Sequence, residues 1–419
     1  MRILWITNSP LSLICPEIGY KSSPTGGWII SLLNSLQETS NNLEFAVATV
    51  IPLKELFKKK INNIIFYCVP GKQYNTNYDK SLESYWKYIN DDFIPDVVHI
   101  HGSEYVHGLA YIKSCGSENV ILSIQGLVSV ICKYYLAGIS RKEIWRNITL
   151  RDIIKGGINY DLRNLRKASI YENKYICSIN HVIGRTSWDM MHVKAINNNI
   201  NYHFCNETLR NSFYNKNKWN LDNCEKYSIF VSQATTPLKG LHKLLEALPL
   251  IINKYPNTKL YIAGRILYKE NIYERLKNST YANIITRIIN NNKIKEHIHF
   301  VGYCDEEKMV KQYLRSNVFV CPSSIENSPN SLGEAQILGV PCVAAYVGGI
   351  PDMIQHGING FLYRFEETVM LANYICEIFS NNDLALKISN AAILTARKRH
   401  DKDVIVSNIL SIYKEISKK

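Results

Sequence analysis

Short apolar runs alternate along this chain with stretches whose apolar positions recur every third or fourth residue. The first pattern is that of buried strands, the second that of helices with one apolar face. Arg2–Thr7, Phe45–Val50, Ile64–Val69, Asp96–His101, Val120–Ile124 and His181–Gly184 are predicted strands, and Gly27–Leu36 is a predicted helix. A polar, Asn-rich stretch follows at about Asn211–Lys226 and reads as a linker. The pattern then restarts. Strands are predicted at Tyr227–Gln233, Lys259–Ala263, Ile298–Val301, Val318–Cys321 and Cys342–Ala345. Helices are predicted at Gly240–Ile252, Ile284–Asn290, Glu306–Ser316, Leu332–Leu338 and Val404–Ile416. Strands alternating with helices imply parallel sheets covered on both faces. Because the alternation occurs twice, the fold class is α/β, with two Rossmann-like, doubly wound domains facing each other across a cleft. Ligands of such sheets bind beyond the carboxyl ends of the strands, so the chemistry is sought in the loops that follow them.

Composition narrows the class without changing the fold. The 419 residues are 46% apolar and 20% charged, as in globular proteins. The longest apolar candidate, Val120–Ile139, is interrupted by Gln125 and Lys133, so no membrane-spanning helix is predicted. Met1–Pro10 reads as a first strand and not as a signal peptide. The 11 cysteines are scattered, odd in number and without a CxxC pair, the usage of reduced thiols in a cytoplasmic protein. Net charge is +13. Lys133–Lys174 alone carries ten Lys/Arg against four Asp/Glu, with Trp145 and tyrosines among the cations. Such a block suits either a solvated helix face or a surface that meets anionic lipid, nucleic acid or a phosphorylated substrate, and the interleaved aromatics suit an interfacial surface.

Candidate chemistry is densest from Cys321 to Gly349. A strand ends at Cys321, a Pro/Ser/Asn loop follows, and a helix begins near Ser331. The amides of Asn330, Ser331 and Leu332, with the positive helix end behind them, form an anion site suited to a diphosphate. Glu334, placed in the first turn, can accept hydrogen bonds from a ribose diol, and Glu326, on the loop, can hold sugar hydroxyls. The same residues also fit an ordinary helix start with a favourable acid, and the Glu326–Glu334 spacing alone does not decide between the two. Near the other domain's start, Gly26 and Gly27 follow Pro24-Thr25 before the first helix, where glycines let the backbone approach a phosphate. His99 and His101 share one side of a strand, but no third residue has the spacing of a metal site. Asp401-Lys402-Asp403 opens the last helix and reads as a cap.

Together these motifs resemble glycosyltransferase family 4, the retaining nucleotide-sugar transferases of GT-B fold that include bacterial polysaccharide-biosynthesis enzymes. The resemblance rests on Pro322-Ser323, Glu326, Glu334-Ala335, Gly339-Val340-Pro341-Cys342, Gly348-Gly349-Ile350-Pro351-Asp352 and Gly357-x-x-Gly360-Phe361-Leu362. A second match is the stretch Val231–Gly240, ending Leu238-Lys239-Gly240. The likeness spans nearly the whole chain and is closer after Tyr227. It implies residues 1–212 as an acceptor-side domain, 213–399 as the nucleotide-sugar domain, and a last helix, about 400–419, packed back on the first. It implies Glu334 at the ribose, Glu326 beside the donor sugar, Lys239 on the leaving diphosphate and His101 at the donor sugar, with His107 a lesser alternative. Gln125 stands where relatives carry His-Gly and is assigned to the acceptor pocket. Gln233 stands where an arginine is usual, a departure that Arg265, at the next strand end, would make good.

The activity so implied is that of a metal-independent, retaining hexosyltransferase with no cofactor beyond its nucleotide-sugar donor, UDP- or GDP-linked. The acceptor would be a glycan or a lipid-linked saccharide in cell-surface polysaccharide assembly, reached in the cytoplasm or on the inner face of the plasma membrane through residues 133–174. No nucleic-acid partner is expected, since no such motif accompanies the charge. The alternatives are a non-catalytic sugar- or nucleic-acid-binding module of the same fold, which Gln233 favours, and a nucleotide-sugar 2-epimerase.

Overall fold

The computed structural model describes residues 1–21, 26–39, 42–269 and 277–417. They group into two units, Met1–Cys132 with Asn164–Thr208 and His400–Lys419, and Lys133–Arg163 with Leu209–Arg399. This differs from a single boundary at 212/213, because residues 133–163 and 209–212 fall in the second unit. Hydrogen bonds hold them there. Asp152 accepts from the Thr280 amide (2.6 Å), the Ala137 carbonyl bonds His242 Nε2 (2.8 Å), and Ser324 Oγ donates to the Tyr134 carbonyl (3.0 Å).

The first unit carries eight strands: β1 (Arg2–Thr7), β2 (Glu44–Ile51), β3 (Phe57–Ile61), β4 (Ile64–Pro70), β5 (Val97–His101), β6 (Val120–Ser123), β7 (His181–Gly184) and β8 (Asn201–Phe204). Their order is β3-β4-β2-β1-β5-β6-β7-β8, parallel except for the antiparallel β3–β4 pair. Side chains alternate across this sheet as the strand period requires. Ile3 and Trp5 pack into one core with residues of the helices Gly27–Thr39 and Lys402–Ser417, and Leu4 and Ile6 into another with Leu82–Phe93 and His107–Cys115. The last helix therefore belongs to the first unit. Trp5 Nε1 donates to Tyr413 Oη (3.0 Å), and Asp401 caps the helix by accepting from the Val404 amide (3.0 Å). Two strands of this sheet have no counterpart in the sequence reading. β3 is Phe-Lys-Lys-Lys-Ile and β8 has no buried residue, so both are edge strands that need no apolar run.

The second unit has β9 (Glu225–Val231), β10 (Lys259–Ala263), β11 (Ile298–Gly302), β12 (Ser316–Cys321), β13 (Cys342–Ala345) and β14 (Phe361–Tyr363). Their order is β11-β10-β9-β12-β13-β14, all parallel. The Asn-rich stretch read as a linker is packed onto this unit. Phe213 and Trp219 within it are buried, and Trp219 Nε1 donates to the Ser316 carbonyl (2.8 Å). The few aromatic residues, not the average polarity, decide the outcome. Among the described residues no helix is long and apolar enough to cross a membrane, and no cysteine forms a disulfide.

Candidate active site

In a doubly wound sheet the crevice opens where successive strands begin to be laid down in the opposite direction. In the second unit that point lies between β9 and β12. The loop after β9 ends in a short 3-10 turn, Pro237–Lys239, and the loop after β12 carries Glu326. Lys239 Nζ donates to Glu326 Oε1 (2.6 Å), which also accepts from Ser323 Oγ (2.7 Å). Lys239 is thus paired, not a cation free to reach across. Burial pulls its ammonium down, and the Glu326 carboxylate beside it outweighs burial and leaves it raised, so it is charged at any working pH. One of its three N–H donors goes to Glu326. The two loops meet through Gly240 at φ +69°, where a Cβ would stand 1.6 Å from the Pro322 carbonyl oxygen.

Glu334 lies on the helix Asn330–Leu338, one residue further in than the sequence places it and so just past the first turn, because the helix starts at Asn330 and not at Ser331. Its buried carboxylate takes a two-pronged bond from Arg210, Nε to Oε1 at 2.7 Å and Nη2 to Oε2 at 2.8 Å. Burial raises the carboxyl, and Arg210 opposes that rise. Arg210 stacks over Phe213, 4.6 Å from the ring centroid. Sequence reasoning missed this arginine. It precedes the stretch taken for a linker, belongs to no spacing motif, and meets Glu334 only through the fold.

The helix start differs from the expected row of three open amides. Pro329 stands at the N-cap, and its carbonyl accepts from the Leu332 amide (3.0 Å). Leu332 is buried, leaving the Asn330 and Ser331 end of the turn as the part nearest solvent. Gln233 is exposed just past β9, and Arg265 is exposed just past β10, its neighbour in the sheet.

The remaining candidates belong to the first unit. Pro24 and Thr25 lie outside the described residues. Gly26 has φ +89°, and Gly27 begins the first helix. His99 is a core residue, bonded to Tyr413 Oη (2.5 Å) and Ser123 Oγ (2.6 Å). His101 is 2% exposed and lies against Trp5, ring centroids 4.6 Å apart. Burial holds its imidazole down to about 3, so it is neutral near pH 7. His107 is buried as well. Gln125 donates to Glu207, which also pairs with the buried Arg185, and the Gln125 carbonyl accepts from Arg185 Nη2 (3.1 Å). Its side chain is committed to that network. Among the described residues one group has the spacing of a metal site, His181, His203 and Glu415, with ligand atoms within 4.8 Å of one another. It contains none of the expected site residues.

Residues 212–395, inside the second unit, match the family described as Glycosyl transferases group 1. Spore coat protein SA of Bacillus subtilis is 26% identical over 193 residues, 46% of this chain and 49% of that one. The chain thus spans about half the length of that relative. The N-acetyl-alpha-D-glucosaminyl L-malate synthase of Bacillus anthracis is 21% identical over 390 residues, 91% of each. Sucrose-phosphate synthase from Thermosynechococcus elongatus superposes with a TM-score of 0.72 at 14% identity over 99% of both chains. Anabaena HepE in complex with UDP and glucose superposes with a TM-score of 0.66 at 14% identity, over 99% of this chain and 100% of that one. The fold is therefore GT-B, and the part of the chain that matches the group 1 glycosyl transferase family lies within its second unit.

Proposed function

We propose that the chain is a retaining, metal-independent hexosyltransferase. It takes a sugar from a UDP- or GDP-linked donor and places it on a hydroxyl of a glycan or lipid-linked saccharide, in cell-surface polysaccharide assembly. The Lys239–Glu326 pair at the β9/β12 switch point supports this most directly. Glu334 holds the ribose. Lys239 and the turn at Asn330–Ser331 meet the diphosphate, with Arg265 adding charge where Gln233 supplies none. Negative charge grows on that group as the anomeric C–O bond breaks, so stabilising it is the largest contribution. Glu326 orients the donor sugar. The acceptor oxygen bonds to the anomeric carbon on the face the diphosphate leaves, its proton passes to the departing phosphate oxygen, and the nucleoside diphosphate is released. In the first unit, Gly26 and Gly27 approach a phosphate, neutral His101 faces the donor sugar, and Gln125 borders the acceptor. The relatives named for N-acetylglucosaminyl transfer and for a UDP complex agree with this donor chemistry.

The reading extends to an anionic membrane surface at residues 133–174, on the cytoplasmic face. Trp145, Leu150, Ile153 and Ile154 are 65–79% exposed beside exposed Arg141, Lys142, Arg146 and Lys155. The acids among them turn inward, Glu143 to Arg287, Asp152 to the Thr280 amide and Asp161 to Tyr135 Oη. Co-flotation with phosphatidylglycerol vesicles, reversed by salt, is the expected result, and no flotation at low salt removes this part.

Thermal stabilisation by UDP, GDP, ADP, TDP and CMP tests the donor site, with EDTA and with Mg²⁺. A ligand at a hundred times its dissociation constant adds about 2.7 kcal/mol. One diphosphate stabilising in EDTA names the base. No shift with any of them moves the non-catalytic module to the front.

A further inference from the structure

The edge of the first unit's sheet and its last helix bring together three metal-ligating side chains that the sequence did not single out. His181 opens β7 and His203 lies on β8, in a register that pairs His181 with Asn201 and Ile183 with His203. By the strand period, His181, Ile183 and His203 point to one face of the sheet. The helix Lys402–Ser417 covers that face, since Ile183 shares a core with Ile409, Ile412 and Ile416. Glu415 sits on the same helix, beside the buried Ile412 and Ile416 but exposed itself. His181 Nδ1 and His203 Nε2 are 3.0 Å apart, with the ring planes within 17° of each other. A carboxylate oxygen of Glu415 completes a group whose ligand atoms all lie within 4.8 Å of one another. Exposure rises across the group, from buried His181 through half-buried His203 to Glu415.

We propose that His181, His203 and Glu415 form a binding site for a divalent transition-metal ion of the zinc type, which ties the last helix to the β7–β8 edge. Two imidazole nitrogens and one carboxylate oxygen suit zinc, cobalt and nickel, whereas magnesium and calcium take oxygen ligands. The spacing fits as well. Nitrogens bound to one zinc at ~2.0–2.1 Å in tetrahedral geometry stand about 3.3 Å apart, so the two rings need to separate by only a few tenths of an ångström. Two imidazoles this close share one proton, because a nitrogen that donates needs a bare nitrogen to accept. The ion takes that proton's place, and the ring that donated carries its proton on its other nitrogen instead. The exposed side, at Glu415, leaves the remaining coordination positions to water. The tie falls where the sheet has least packing of its own, because β8 ends the sheet and has no buried residue. The inference is independent of the transfer reading, whose donor-site carboxylates and lysine belong to the second unit.

The test uses the full chain without added histidines, stripped with EDTA and dialysed, with Zn²⁺ and Co²⁺ as the probes. Calorimetric titration with Zn²⁺ should show a single ion bound per chain, and the bound ion should raise the urea midpoint. Co²⁺ should give the visible absorption of a nitrogen-ligated ion. Loss of even an outer partner weakens metal sites by ~10–100-fold, so His203→Gln and Glu415→Gln should each weaken Zn²⁺ binding by at least ~10-fold. Glu415→Gln changes an exposed position and should leave the urea midpoint in EDTA unchanged, so its effect on Zn²⁺ cannot come from misfolding. No binding by the wild type, or binding that both variants leave unchanged, as at the exposed Cys177 thiol, overturns the site. Binding weakened by His203→Gln and not by Glu415→Gln overturns the tie to the helix.

Discussion

Each carboxylate of the candidate donor site has a cation against it, and the two pairs differ in what they can tolerate. Glu334 and Arg210 are both nearly shut off from water. Removing one member leaves the other buried and uncompensated, which typically costs ~3–5 kcal/mol, whereas replacing both by apolar groups can be close to neutral. Arg210→Ala should therefore destabilise by about that amount, and Arg210→Met with Glu334→Leu should recover most of it. A urea-unfolding double-mutant cycle measures this. Additive losses would mean the pair is not coupled. Lys239 and Glu326 are more accessible, and their truncation belongs to turnover. Lys239→Ala should lower kcat by roughly 10²–10³, the usual loss when one charge-stabilising donor is removed. Near-normal turnover in a folded variant contradicts its assignment. Glu326, Glu334 and Lys239 were all legible in the sequence from their motifs. Arg210 was not, because its role depends on a fold-imposed meeting 124 positions apart.

Among the elements, the loops at the strand ends depend on close approach more than on side-chain chemistry. The turn after Lys239 has no room for a methyl group at Gly240, whose would-be Cβ meets backbone and not a movable side chain. Gly240→Ala should cost about 2–4 kcal/mol and displace the lysine, so that nucleotide stabilisation falls along with the melting temperature. Unchanged nucleotide binding would show that the loop rearranges without consequence. The last helix offers a milder change. Asp401→Ala removes an N-cap and should cost ~1 kcal/mol, read from denaturant midpoints. Strands with nearly continuous apolar runs, such as β6 and β13, were legible because both faces are buried. β3 and β8 were illegible because an edge strand is held by its neighbour's backbone and not by its own side chains.

For the whole molecule, buried titratable groups set the response to acid. His101 is held down to about 3, His107 and His242 to about 4, and His99 well below its ordinary 6.5, in each case first by burial. A lowered folded value means the unfolded chain binds the proton more readily, so this stability is complete above pH 6.5 and lost on acidification. Glu104, up at about 7, and the raised Glu172 and Glu334 act in the opposite sense above their ordinary 4.5. Unfolding free energy should thus change little between about pH 6.5 and 4.5 and fall steeply below that, towards pH 3. Denaturant titrations across this range check it, and a decline already complete at pH 5 would refute the balance. Glu104→Gln should steepen the upper window.

The sequence by itself determined the class of fold, through two series of apolar runs separated by helical periods, and the motifs of the candidate site, through residues close together along the chain. Local patterns suffice for these, because strand and helix periods and loop-borne motifs are properties of neighbouring residues. Tertiary structure alone decided that residues 133–163 join the second unit, that the Asn-rich stretch is packed, that Arg210 grips Glu334, and that His181, His203 and Glu415 converge. Each of these rests on contacts between residues far apart in the chain, made through sheet order and burial, which no local period records.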